Sequence, residues 1–193
     1  MEELPHMENI QTTKAGPAGG NVAIRMATPG DAADLLAIYA PYVERTAVSF
    51  EWEVPGVEEF RARIASTLTH YPYLVAETDG ELLGYAYAGV FKPRAAYRHC
   101  VETSVYVRED FHGRGVGRAL YAELERRLKA QGIRNLNACI AWIDEPDEYL
   151  THGSPDFHAR LGFVRVAHFH RCGLKFGRWY DMVWMEKLLR GNT

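Results

Sequence analysis

Apolar positions in this chain change period several times, and each change marks an element. Residues Val22 to Met26 alternate as a half-buried strand does. Thr28-Pro29-Gly30-Asp31 then offers turn and N-cap chemistry, and Leu35, Leu36, Ile38 and Tyr39 follow at helical spacing, with Pro41 expected to interrupt that helix near its end. Phe60, Ile64 and Leu68 recur every fourth residue and predict a second helix from Val57 to about His70. Two strands, Tyr73 to Glu77 and Leu82 to Val90, flank Thr78-Asp79-Gly80-Glu81, where Asp-Gly supplies the positive φ of a hairpin turn. A strand through Glu102 leads into a glycine-rich loop and a helix carrying Leu120, Tyr121, Leu124 and Leu128 that Gly132 stops. On that helix Glu123 and Arg127, and Glu125 and Lys129, are spaced to pair across a solvated face. Leu136 to Ile143 reads as a strand, Ser154-Pro155 starts a short helix, and Gly162 to His170 and Asp181 to Leu188 supply the last strands.

This mixed order predicts an α/β (α+β) layer structure, a central mixed and mostly antiparallel twisted sheet flanked by helices, as one domain over residues 22–190. Residues 1–21, with Pro5, Gly16, Pro17, Gly19 and Gly20 and little apolar periodicity, are expected to be a disordered extension.

The densest chemistry lies between Val101 and Leu120. Val101-Glu102-Thr103-Ser104-Val105-Tyr106-Val107 alternates as a strand, and His112-Gly113-Arg114-Gly115-Val116-Gly117-Arg118 opens the helix. Glycines let a ligand approach the backbone, and a helix start offers unpaired N–H groups and partial positive charge, so the segment suits a pyrophosphate. It has neither the G-K-[ST] of a P-loop nor the G-x-G-x-x-G of a dinucleotide fold.

The loop resembles the [Q/R]-x-x-G-x-[G/A] loop of the GNAT superfamily of acetyl-CoA-dependent N-acetyltransferases, with His112 in place of the usual Gln or Arg. The likeness runs from about Ile24 to Lys187 and narrows to the branch of phosphinothricin and methionine sulfone acetyltransferases. Four further segments carry it: Ile38 to Glu51, Phe91 to Arg98, Phe157 to Phe163, and Lys175 to Asp181. The resemblance implies acetyl transfer from acetyl-CoA to the primary amine of a small amino-acid-like substrate, of the phosphinothricin, methionine sulfone or methionine sulfoximine type. It implies Glu102 as general base and His158 as acid, with a strand-end ion pair and a packed histidine as the plainer readings. Val105, Tyr106 and Val107 would meet the pantetheine arm, and Gly113, Arg114, Gly115, Val116, Gly117 and Arg118 the pyrophosphate. Phe50, Lys92, Arg94 and Tyr97 would line an anion-selecting substrate pocket, or the two cations would belong to a surface loop. A homodimer is also implied. The alternatives are a protein or peptide amine acetyltransferase and a non-catalytic acyl-CoA sensor.

Composition narrows the partners. Lys plus Arg number 22 against 25 Asp plus Glu, which offers no general electrostatic case for nucleic acid or an anionic membrane. With no apolar run of membrane length and no signal-like start, a cytoplasmic protein is expected. Cys100, Cys139 and Cys172 form no C-x-x-C pattern. His168 and His170 face one side of a strand, but no carboxylate or third ligand stands at matching spacing, so no metal is predicted.

Overall fold

The computed structural model describes residues 11–13 and 22–189. In chain order the elements are β1 (Gln11–Thr13), β2 (Val22–Met26), α1 (Ala32–Arg45), α2 (Val57–Leu68), β3 (Tyr73–Thr78), β4 (Glu81–Val90), β5 (Cys100–Val107), α3 (Val116–Ala130), β6 (Asn135–Trp142), α4 (Gly153–Arg160), β7 (Val164–Lys175) and β8 (Arg178–Leu188). The strands form one sheet in the order β1-β2-β3-β4-β5-β6-β8-β7. Every neighbouring pair is antiparallel except β5 and β6, which are joined by the α3 crossover. The expected mixed, mostly antiparallel sheet is what forms.

Two cores cover its two faces. On β3, Leu74 and Ala76 pack with Leu120, Leu124 and Leu128 of α3, while Tyr73 and Val75 face Leu35, Ile38, Phe60 and Ile64 of α1 and α2. Both faces of that strand are therefore dry, which explains its unbroken apolar run. Each large side chain buried this way contributes about 1.5 to 3 kcal/mol. Among the described residues no helix is long and apolar enough to cross a membrane.

Four sequence expectations need correction. Pro41 does not interrupt α1, which continues through it to Arg45. Ile38 and Tyr39 before it and Val43 after it are buried, and that packing outweighs the lost backbone bond. Gln11–Thr13, inside the segment expected to be disordered, pairs with β2 from Gln11↔Ile24 to Thr13↔Val22. An open strand edge accepts polar residues because the pairing is between backbones. The rest of the extension lies outside the described residues. Glu123 is 7% exposed and bound by Arg126 and Arg127, and Glu125 pairs with Lys187 of β8 in place of Lys129, so this helix face is partly covered.

The last two strands are also longer than the sequence indicates. They run as one hairpin through Phe176 and Gly177, with φ 52° and 71°. Positive φ at both positions is the usual demand of a two-residue hairpin turn, but Phe-Gly lacks the Asn or Asp that signals it in a sequence.

Candidate active site

Strands β5 and β6 pair at three positions only: Cys100↔Asn135, Val101↔Leu136 and Glu102↔Asn137. Beyond Glu102 they part. A narrow cleft of about 50 Å³ opens there between Ser104–Tyr106 and Ala138–Ala141, with Ser154 and His158 of α4 at its wall. The Val107 carbonyl is already taken by the Tyr42 hydroxyl and by His112 Nε2, so the free edge of β5 is its Val105–Tyr106 stretch.

Glu102 stands where the ladder ends. Its cross-strand partner is Gly89, and Ser104 and Tyr106 on the same face pair with Tyr87 and Tyr85 of β4. Glu102 thus faces the α1/α2 side of the sheet, while Thr103 faces α3 and reaches the Tyr121 hydroxyl at 3.0 Å. Glu102 is half-buried; desolvation raises its pKa, and the charge of nearby Lys92 partly offsets that. A carboxylate so placed is a better proton acceptor than one in open water. The strand-end ion pair with nearby Arg98, the plainer reading of Glu102, does not form: Arg98 donates to His99 Nε2.

His158 is 4% exposed, and both ring nitrogens are engaged. Nδ1 lies 2.8 Å from the Ser154 carbonyl, an acceptor only, so that nitrogen carries the proton. Nε2, 2.9 Å from Tyr121, then accepts the phenolic hydrogen. Burial lowers the His158 pKa, keeping the ring neutral. Its single proton is committed to backbone, so this arrangement supports a positioning role for His158 through Tyr121 and Thr103 in place of the expected acid role.

The glycine loop is built as the sequence reads. Gly113 and Gly115 have φ of 73° and 85°, and a Cβ on either would meet nothing within 4 Å. Gly115 is the N-cap of the 15-residue α3, leaving the first-turn N–H groups of Val116, Gly117 and Arg118 at an open helix end. Gly117 is there for packing, since an added Cβ would lie 3.1 Å from the Phe157 ring. Arg114 and Arg118 are exposed beside the loop. His112 turns inward to Tyr42 Oη at 2.8 Å, fastening the loop to α1.

The four expected substrate residues do not gather. Phe50 packs with Tyr180 in a small core and fills the space where Gly173 would carry a Cβ. Lys92, Arg94 and Tyr97 are exposed on the β4–β5 connection and line neither cleft described here. Of these, Lys92 alone influences Glu102.

What the sequence did not reveal is a cavity of about 560 Å³ between α1, α2 and the sheet, walled by Tyr39, Phe60, Tyr73, Tyr85, Tyr87 and Tyr106. Burial raises the pKa of all five phenols, that of Tyr39 to about 12. Glu51 enters it with Oε1 on Arg63 at 2.7 Å and Oε2 buried without a partner among the described residues. The loop that carries Glu51 is fixed by Lys175 of β7. Its ammonium donates to the carbonyls of Val43, Thr46 and Ser49 at 2.8, 2.9 and 2.6 Å, which uses all three protons.

A strand gap, a glycine-capped helix start and a carboxylate at the point of parting fit one family. Residues 24–184 match the acetyltransferase (GNAT) domain. The chain belongs to the GNAT acetyltransferase family. It is 42% identical over 172 residues to a phosphinothricin N-acetyltransferase of Alcaligenes faecalis, covering 88% of this chain and 84% of that protein. The crystal structure of a phosphinothricin acetyltransferase from Sinorhizobium meliloti in complex with AcCoA matches with a TM-score of 0.79 at 33% identity, over 87% of this chain and 88% of that one. A ribosomal-protein-alanine N-acetyltransferase from Brucella melitensis matches with a TM-score of 0.78 at 35% identity, over 86% and 99%. Such likeness settles the GNAT fold and family but leaves the amine open, because these relatives carry different substrate names.

Proposed function

We propose that this GNAT protein transfers acetyl from acetyl-CoA to the primary amine of a small amino-acid-like substrate of the phosphinothricin, methionine sulfone or methionine sulfoximine type. The observation that carries the reading is the half-buried Glu102 at the last paired position before β5 and β6 part. Acetyl-CoA supplies the activated thioester. Residues Gly113 to Arg118 hold its pyrophosphate through main-chain N–H groups at the start of α3, and the open Val105–Tyr106 edge takes the amides of its extended arm. Glu102, directly or through water, removes the proton from the substrate ammonium on the α1/α2 face. Cys139, which lines the cleft, has its pKa raised by desolvation and by the Glu102 charge.

The positive charge of Lys92, which acts on Glu102, favours an acidic substrate. Lys92→Met is expected to raise KM for an anionic amino acid by up to about fivefold, the equivalent of roughly 0.2 to 1 kcal/mol for an exposed charge, with little change for neutral amines. The deciding experiment is an acetyl-CoA turnover panel of phosphinothricin, methionine sulfone, methionine sulfoximine, polyamines, aminoglycosides and peptides. Preference for the first three is expected. Preference for peptides or polyamines would replace the substrate assignment, and acetyl-CoA binding without turnover across the panel would replace the enzyme by a sensor.

A further inference from the structure

On the β7–β8 hairpin, between the pairs Phe169↔Met182 and Gly173↔Tyr180, three residues of β7 stand against one of β8. That one residue is Asp181, and the bulge wraps around it. The Arg171 N–H donates to Asp181 Oδ1 at 2.8 Å, with Arg171 at φ 48°, a conformation that non-glycine residues rarely adopt. The other oxygen, Oδ2, lies 2.7 Å from His168 Nε2 and 2.9 Å from His170 Nδ1. All three ligand atoms lie within 4.8 Å of one another. The sequence expectation that no carboxylate accompanies the two histidines is therefore overturned. Asp181 is eleven residues beyond His170 in the chain and is delivered by strand pairing, which linear spacing does not reveal.

We propose that His168, His170 and Asp181 bind one divalent transition-metal cation of the zinc class. Two imidazoles and one carboxylate are a donor set such ions prefer, and with three protein ligands a position remains for water. The Arg171 N–H on Oδ1 does for the carboxylate what outer-shell bonds do at metal sites: it fixes the oxygen that would coordinate. Around zinc, ligand atoms about 2.0 Å from the metal in a tetrahedron stand roughly 3.3 Å apart, so the two Asp181–histidine distances need to open by about half an ångström, while the two histidine nitrogens, within 4.8 Å of each other, settle to the same spacing. His170, whose side chain is 75% exposed, has room to make that movement. In the metal-free cluster the ring nitrogens that face Oδ2 carry protons, since an ionised carboxylate only accepts. On binding, each of those protons moves through solvent to the other nitrogen of its ring, which frees a lone pair for the metal, and no oxidant or reductant takes part. Asp181 shares its face with Val183, which packs on the α3 side, so the site lies on the opposite face of the sheet from Glu102 and does not depend on the acetyl-transfer reading.

The test uses the full chain without an affinity tag, stripped with chelator and titrated with zinc by calorimetry, with cobalt(II) absorption as a second readout. One equivalent with micromolar or tighter affinity is expected, together with a zinc-dependent rise in Tm. His170→Gln, at an exposed position that leaves the fold intact, should weaken binding by more than the roughly 10- to 100-fold typical of outer-shell losses and abolish the Tm rise. His168→Gln should do the same, and Cys139→Ser with Cys172→Ser should change neither. Absence of a saturable site in the wild type overturns the proposal. Zinc binding that survives both histidine changes but is lost with the cysteines also overturns it, as does a cobalt spectrum with thiolate charge transfer.

Discussion

The glycine loop and the β7–β8 hairpin serve the same sheet, yet their chemistry is specified over different distances along the chain. In the loop, Gly113, Gly115 and the start of α3 form their turn and open helix end within six residues, and the conformation follows from residue types alone. In the hairpin, Lys175 secures carbonyls 126 to 132 residues away, and Asp181 completes a cluster with two histidines on another strand. Local backbone chemistry is readable from sequence, whereas contacts made by strand register and loop packing appear only once the chain has folded.

Glu102 belongs to the readable half, and losing it should have the largest effect. Glu102→Gln is expected to lower turnover by about two to four powers of ten while leaving acetyl-CoA affinity unchanged. Steady-state kinetics at saturating amine with calorimetry of acetyl-CoA decide this; near-wild-type turnover removes Glu102 from the chemistry.

Lys175 tests the other half. Lys175→Met leaves three backbone carbonyls without their donor, one of them in the last turn of α1, and is expected to cost about 1.5 to 3 kcal/mol, read in urea denaturation. If the tyrosine-walled cavity that Glu51 enters takes the amine, KM for the amine should rise while acetyl-CoA affinity holds. Equal losses for both ligands would mean that the hairpin and the glycine loop are not separable.

The glycine loop gives the next effect. A Cβ at Gly115 meets no atom within 4 Å, so the cost of Gly115→Val is chiefly conformational, roughly 1 to 2 kcal/mol for a left-handed non-glycine residue, together with at least tenfold weaker acetyl-CoA binding from the closed approach. Gly117→Val acts differently, against the Phe157 ring, and should lower Tm more than its effect on cofactor affinity warrants. Identical behaviour of the two variants would undo the assignment of one glycine to approach and the other to packing.

This contrast explains how much was legible. Strand and helix order, the Asp79-Gly80 turn and the glycine loop all follow from period and residue type, and the structure forms them as expected. On the expected substrate side, side-chain direction was not legible. In Phe50-Glu51 the aromatic residue looks like the ligand contact, but Phe50 fills the space over Gly173 and Glu51 turns into the tyrosine-walled cavity. His158 could be placed by its motif but not given a role, because its bonds to Ser154 and Tyr121 depend on how α4 docks against α3.

The smallest expected effect returns to Glu102 and asks whether one group sets both stability and rate. Its folded-state pKa is raised, so its contribution to stability is fully present below the unfolded value, about 4.3, and is lost as pH rises through the folded value. Glu102→Gln carries no such titration. Urea midpoints should therefore place the variant slightly above the wild type at pH 7 to 8, with the gap closing towards pH 4. Over the same interval wild-type kcat/KM should climb, because only the ionised carboxylate accepts a proton from the amine. A variant gap that stays constant with pH, or a wild type that is the more stable protein at pH 8, would show that Glu102 is not held against solvation at the parting of β5 and β6.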